Sequence, residues 1–383
     1  MKKLGQIISV ILVILFVFSA CSQTNPNPSQ APQSTAPSAA PSASPEGSAV
    51  PEKPELPQYK IGILSFKYTG PWVERINEAL KPLADAYNCE FINGNPAATP
   101  DEVLSGVENL CASGVNGIIA FATGSMTSRI METCEKAKVF FIACENDASL
   151  DSGYETTKMN DYFVGSVAPN DYQTMYDITK EMIDKGLTKF ATLGMPPGTA
   201  ATFDNRLNGA TAAVTEAGLT LAAEARSFNV TEAGQNLLTQ NPDIEAILSG
   251  VDTTTYIEQP LLAAGLNGKV QVTTFEDGGD VLNAFKQGTI TYACDGANAR
   301  AQICFALLYN AISGNRLANA DGSAPVINMD NLIMRSEKDY QTFLDKSAFS
   351  LEEIQKIIVV TTAGASLDNV NALAADFKMD NLA

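Results

Sequence analysis

The sequence predicts an α/β protein built from two doubly wound parallel-sheet lobes. Three observations carry this. From Tyr59 onward, short apolar runs alternate with segments whose apolar residues recur at helical spacing, the order that builds a parallel sheet with right-handed crossovers. The same order then recurs in a second half. The stretch from Tyr59 to Ala383 also exceeds what one hydrophobic core usually organises.

In the first half, YKIGILSF reads as a strand and PWVERINEALKPLADAYN as a helix with Pro71 in its first turn. Val73, Ile76, Leu80, Leu83 and Tyr87 recur three and four apart, which makes one buried face. Pro82 removes an internal hydrogen bond and predicts a kink. CEFINGN is the second strand. Thr99-Pro100-Asp101-Glu102 is a capping box opening a helix that carries Val103, Val107, Leu110 and Cys111 and ends at Gly114. NGIIAFAT, SMTSRIMETCEKA and VFFIACEND follow as strand, helix and strand. In the second half, TKFATLGMPP, LAAEARSF, IEAILSGVD and VQVTTFEDG are the strands. Between them ATFDNRLNGATAAVTEAG, EAGQNLLTQ and TTYIEQPLLAAG are the helices, the last despite Pro260.

Two of these runs drive an apolar strand into acids at matching positions, Glu145 in the first half and Glu276 in the second. In an open parallel sheet the loops after the carboxyl ends of the strands face the binding crevice. Two sheets facing each other would turn both sets of strand ends into one cleft. Glu145 from one lobe, with Asp252 and Glu276 from the other, then form a single polar pocket. Each acid equally suits a helix N-cap or a solvated surface.

The first residues stand apart from the fold. Lys2 and Lys3 precede an apolar run from Ile7 to Phe18, shorter than the roughly 20 residues a spanning helix needs, so residues 1–20 read as a cleaved leader. Ser19 and Ala20 before Cys21 resemble a bacterial lipobox, which makes Cys21 the lipid-bearing N-terminus of an exported protein. Residues 21–58 are Pro, Ser and Ala with almost no large apolar side chain. Such a segment cannot bury enough surface to offset the entropy of ordering it, and reads as a tether.

The chain carries 25 Lys and Arg against 43 Asp and Glu, net −18, and loss of Lys2 and Lys3 with the leader takes this to −20. That balance argues against nucleic acid and against polybasic docking on membranes. There is no histidine, which removes Ser-His-Asp and Cys-His catalysis and any His-ligated metal. No cofactor or metal is expected. Beyond Cys21 the cysteines are Cys89, Cys111, Cys134, Cys144, Cys294 and Cys304, with no CxxC pair; Cys111, Cys144 and Cys304 sit in apolar runs as small hydrophobes. GSMTSR and GMPPGT lack the lysine of a phosphate loop and read as strand–helix turns.

GVNGIIAF, FVGSVAPNDY, NRLNG, NPDIEAIL and FKQGTITY occur in this order. Together they resemble the type I periplasmic binding proteins of the ribose-type sugar class, the solute receptors of ABC importers, over Lys60 to about Leu344. The resemblance implies two lobes joined by three crossing segments, near Ala168, near Asp295 and near Asn328–Met329. Lobe 1 is then 59–168 with 297–328, and lobe 2 is 169–296 with 329–383. It places the family's ligand aromatics on Trp72, with Tyr68 as a substitute ring, and on Phe228. The ligand arginine falls on Arg206, with an ion pair to Asp204 or another acid as the alternative. The hinge asparagine falls on Asn170. The family's Asn-Asp is here Val251-Asp252, its Phe-Asp-Gly is Phe275-Glu276-Asp277, its Asp-Arg is Glu145-Asn146, and its hinge glutamine is Gly296 beside Asp295. The departures make an acid-rich pocket that suits hydroxyls or an amine.

The function implied is a monomeric, lipid-anchored extracytoplasmic receptor that closes over a small polar solute, a sugar first, and presents it to an ABC permease. The alternatives are a ligand-presenting sensor or chemoreceptor, and a binder of amine-bearing or nucleoside-like solutes. A glycosidase using Glu145 and Glu276 would need a supporting motif that the sequence lacks. The tail SLEEIQKIIVVTTAGASLDNVNALAADF, with a capping box at Ser350 and Glu353, is expected to pack on the second lobe.

Overall fold

The computed structural model of the chain describes residues 56–121, 123–275 and 278–382. The leader, Cys21, the tether up to residue 55, and Glu276 lie outside the described residues. β1 (Tyr59–Leu64) is buried from Ile61 onward and leads into α1 (Pro71–Ala86), which runs through Pro82 as one helix. β2 (Cys89–Asn93) precedes α2 (Pro100–Ala112). There the Glu102 carboxylate accepts from the Thr99 N–H at 2.9 Å and the Thr99 hydroxyl accepts from the Glu102 N–H at 3.4 Å, the reciprocal cap that the sequence predicts. β3 (Gly117–Phe121), α3 (Thr127–Ala137), β4 (Phe140–Cys144) and the one-turn α4 (Tyr154–Thr157) lead to β5 (Phe163–Pro169).

The chain then crosses into a second unit of the same kind. It comprises α5 (Asp171–Asp184), β6 (Phe190–Gly194), α6 (Ala201–Glu216), β7 (Ala223–Arg226), α7 (Val230–Gln240), β8 (Ala246–Ser249), α8 (Thr253–Tyr256), α9 (Glu258–Ala263), β9 (Gln271–Phe275), α10 (Val281–Gln287) and β10 (Tyr292–Asp295). The helix expected over TTYIEQPLLAAG is broken in two at Ile257, whose ψ of 1° leaves the helical range. Pro260 thereby falls in the first turn of α9, where its missing N–H costs nothing.

α11 (Ala297–Ile312) returns to the first sheet, β11 (Val326–Met329) pairs with β5 at its edge, and β12 (Leu332–Met334) pairs antiparallel with β10. The two sheets have the matching orders β2-β1-β3-β4-β5-β11 and β7-β6-β8-β9-β10-β12, and every other pairing is parallel. The chain passes between them after Pro169, after Asp295 and after Met329. α5 and α6 lie so close that a Cβ at Gly209 would meet the Tyr172 carbonyl oxygen at 2.1 Å, which accounts for the glycine of RLNG.

The last helices are α12 (Glu337–Lys346), α13 (Leu351–Gln355), α14 (Leu367–Ala375) and α15 (Met379–Leu382). Here the structure corrects the expectation that the whole tail packs on the second lobe. α12 rests on α10 and β12, but α13 packs on α11 and α14 on β11, which belong to the first. The reason is the make-up of α11: residues Ala297–Ala311 are all buried, so the helix needs apolar cover on its outer side as well as from the sheet. Ile354, Ile357 and Ile358 supply it within one core that also holds Leu307, Val281 and Phe343. The Asn310 side chain clamps the tail, donating to the Ile357 carbonyl at 2.9 Å and accepting from the Val359 N–H at 2.9 Å. The six described cysteines are free; four are buried, and burial pushes the half-buried Cys89 thiol up to about 12.

Candidate binding cleft

The carboxyl ends of the first sheet carry an aromatic floor. Parallel pairing aligns Leu64 of β1 with Ala120 of β3, and Phe121 of β3 with Cys144 of β4, so the tips of these strands lie side by side. Trp72, at the start of α1, packs against Phe66 and edge-on against Phe121, with ring centroids 5.5 and 5.7 Å apart. It is buried, and its indole Nε1 has no hydrogen-bond partner among the described residues. The Tyr68 hydroxyl donates to the Ile63 carbonyl at 2.8 Å and accepts from the Ser65 N–H at 3.1 Å, which ties its ring to its own loop.

Glu145 follows β4 with φ of +61°, a backbone conformation unfavourable for a residue with a Cβ. Its carboxylate is held by Arg300 of α11: Nε donates to Oε1 at 2.5 Å and Nη2 to Oε2 at 3.0 Å. This side-on fork is the strong form of a carboxylate–guanidinium pair. Burial pushes the Glu145 carboxyl up; Arg300 pulls it down, and Asp295 and Asp171 push it up again. Glu145 just past β4, Arg300 of α11, Asp295 at the end of β10 and Asp171 at the start of α5 thus lie close enough to influence one another's charge.

Each neighbouring acid has its own arginine. Asp171 accepts from Arg206 Nε at 3.0 Å and from Asn331 Nδ2 at 3.1 Å, and takes a short hydrogen bond from the Thr202 hydroxyl. Arg206 also donates to the Gly250 carbonyl at 3.0 Å and lies 4.1 Å over the Phe275 ring. Its acid is thus Asp171, while Asp204 pairs with Arg226. Asp295 accepts from the Gly296 and Ala297 N–H groups at 2.6 and 2.9 Å, and from Arg75 Nη2 at 2.8 Å. That last contact joins α1 of the first lobe to the end of β10 in the second. Asn170 lies at the first crossing, where its side chain donates to Asp330 at 3.1 Å.

Burial is the largest influence on Asp295 and works upward, but Arg75, the Ala297 N–H, Arg300 and the Gly296 N–H together hold its carboxyl below the usual carboxylate range. Its folded form therefore binds fewer protons than its unfolded form around the ordinary value of about 3.9, so this stabilisation is complete above that pH and drains away as the pH falls toward the depressed value. Asp295→Asn is expected to lower stability at neutral pH by about 2 kcal/mol and to flatten the acid limb. Urea midpoints measured from pH 7 to pH 3 check this, and parallel limbs for the two proteins would contradict it.

Two other residues singled out from the sequence stand apart from this cluster. Asp252 caps α8: it accepts from the Thr255 N–H at 3.2 Å, from the Thr254 and Thr255 hydroxyls at 2.6 and 2.5 Å, and from the Gly278 N–H at 2.8 Å. The Phe228 ring, just past β7, is 75 % exposed. Glu276 is outside the described residues. Arg300, Arg75, Asp171 and Asn331 escaped the sequence reading. Arg300 had a signal: it is the one charged residue in the otherwise uncharged helix ANARAQICFALLYNAI. Two open recesses border this cluster: one of about 270 Å³ lies between α1, Arg75 included, and Asp280 and Leu282 at the start of α10, and one of about 200 Å³ lies behind the third crossing near Asp330, Asn331 and Arg335.

The fold is that of solved solute receptors. One is a periplasmic solute-binding protein of an ABC transporter from Actinobacillus succinogenes with bound D-allose: 19% identity over 74% of this chain and 100% of that one, TM-score 0.61. A solute-binding protein from Bacillus halodurans with bound myo-inositol aligns at 16% identity over 76% and 99%, TM-score 0.60. One from Burkholderia graminis in complex with D-arabinose aligns at 14% over 75% and 98%, TM-score 0.62. No curated protein matches. The family model described as periplasmic binding protein domain matches residues 61–316, two thirds of the sequence, so the chain is a member of the periplasmic binding protein family.

Proposed function

We propose that this protein is a lipid-anchored extracytoplasmic receptor that captures a small, uncharged, hydroxyl-rich solute, a sugar, between its lobes and delivers it to an ABC importer. The observation that carries this reading is the charge balance at the strand tips. Glu145, Asp171 and Asp295 are each matched by an arginine at hydrogen-bond distance. Each such carboxylate–guanidinium pair offers acceptors and donors while cancelling its own charge, which suits hydroxyls better than an ammonium group. The bound sugars and cyclitol of the solved relatives accord with this. Residues 1–20 act as leader, Cys21 carries the lipid, and residues 21–58 tether the receptor. Lobe 1 is 59–168 with 297–328 and lobe 2 is 169–296 with 329–348, the tail beyond being shared. Closure about the three crossings sequesters the solute.

The test has two arms. Small molecules released from the purified, denatured protein are identified by mass spectrometry, and the cleared protein is titrated calorimetrically with neutral pentoses, hexoses and inositols. Release or binding of a neutral sugar is expected; exclusive binding of an amine-bearing solute would overturn the reading. In cells, Cys21→Ala is expected to move the protein from the membrane fraction to the soluble one.

A further inference from the structure

We infer that Arg300 is the specificity-determining residue of the cleft, a positioning residue that selects uncharged hydroxylated ligands by holding Glu145 side-on and cancelling its charge. The inference rests on the sugar-receptor reading above and adds to it the residue that discriminates a neutral sugar from an amino sugar.

Four observations support it. First, Arg300 is the sole charged residue of a helix buried from Ala297 to Ala311, and burying a cation there is costly unless a partner offsets it. Second, that partner is Glu145 alone in direct contact, through two hydrogen bonds of 2.5 and 3.0 Å, although the Glu145 backbone must adopt a left-handed conformation to present its carboxylate. Third, space for the guanidinium depends on Gly296: a Cβ there would lie 2.8 Å from Nη1. Fourth, the fork uses one lone pair on each Glu145 oxygen, and a carboxylate has about four acceptor sites, so about two remain. The side chain keeps 14% of its surface exposed. Glu145 thus offers a ligand acceptor oxygens in fixed orientation, as part of a pair with no net charge. Arg300 itself is fully enclosed, with Nη1 lacking a partner among the described residues, and acts on the ligand through Glu145.

Removing the guanidinium leaves a carboxylate with uncompensated charge, which attracts an ammonium group and no longer aims at hydroxyls. Wild type, Arg300→Met, Arg300→Lys and Gly296→Ala are titrated calorimetrically with neutral hexoses and their 2-amino-2-deoxy counterparts. The readout is the ratio of the two affinities. Wild type is expected to prefer the neutral sugar. Arg300→Met should shift the ratio toward the amino sugar by on the order of 100-fold. Arg300→Lys should keep the neutral preference at lower affinity, because it keeps the charge and loses the fork. Gly296→Ala keeps every charged group and should shift the ratio in the same direction as Arg300→Met by displacing the guanidinium, which covers the case in which Arg300→Met does not fold. Parallel loss of both sugars in Arg300→Met, or an unchanged ratio in Gly296→Ala, overturns the role of Arg300 while leaving the receptor reading intact. Failure of wild type to bind any neutral sugar overturns the receptor reading, and this inference with it.

Discussion

A chain ending at Ala348 is expected to lose more than about 4 kcal/mol of stability and to aggregate at room temperature, even though the family model ends at residue 316. The tail is part of the core. Ile354, Ile357, Ile358, Val370 and Phe377 are at most 3 % exposed, and burying each such side chain contributes roughly 1.5–3 kcal/mol. Truncation would return those groups to water and uncover the outer face of α11. It would also orphan the Asn310 amide, and leave Gln302 without the Phe349 N–H and carbonyl that it meets at 2.8 and 2.9 Å. Buried amides without partners cost about 1–3 kcal/mol apiece. Urea unfolding followed by circular dichroism checks this, and a truncated protein with the midpoint of the full chain would show that the tail is an accessory.

Replacing Arg206 by alanine is the second large effect. The side chains of Arg206 and Asp171 are 4 and 1 % exposed, so alanine leaves a buried carboxylate without its cation and the Gly250 carbonyl without its donor. Breaking such a pair from one side costs about 3–5 kcal/mol. The guanidinium stacked 4.1 Å over Phe275 is lost as well. Arg206→Lys is expected to recover little, since an ammonium cannot make the same planar set of contacts. Denaturant midpoints read the outcome; a cost below about 1 kcal/mol would place Arg206 outside the structural framework. Asp171→Asn should rescue part of the loss in the double variant, because it removes the stranded charge.

Most of the architecture was legible because its signals are local. Helical spacing in α1, the capping box before α2, and the apolar runs of β3, β4 and β9 each depend on a few neighbouring residues. The repeat of one strand–helix order pointed to two similar sheets. The acid at the end of β4 was also visible, since a charge at the end of a buried strand has few places to go except a cleft or a cap. Asp252 looks like Glu145 in sequence, and the cap it forms on α8, one of the alternatives the sequence left open, uses the threonines two and three residues on. Sequence is silent where the deciding contact is remote. The tail has a clear capping box, but its local pattern does not say which lobe offers the matching apolar face.

By itself, then, the amino-acid order determined the elements, their succession and the family pattern, all of which follow from side-chain period, turn chemistry and composition. Tertiary structure alone decided which charges meet. Glu145 and Arg300 are 155 residues apart in the chain, and Arg75 and Asp295 are 220 apart. A short-range pattern cannot encode such pairings, because each forms only when separate strand ends and helices have packed and excluded water. That step converts an acid-rich list of residues into a set of ion pairs at the junction of the two sheets.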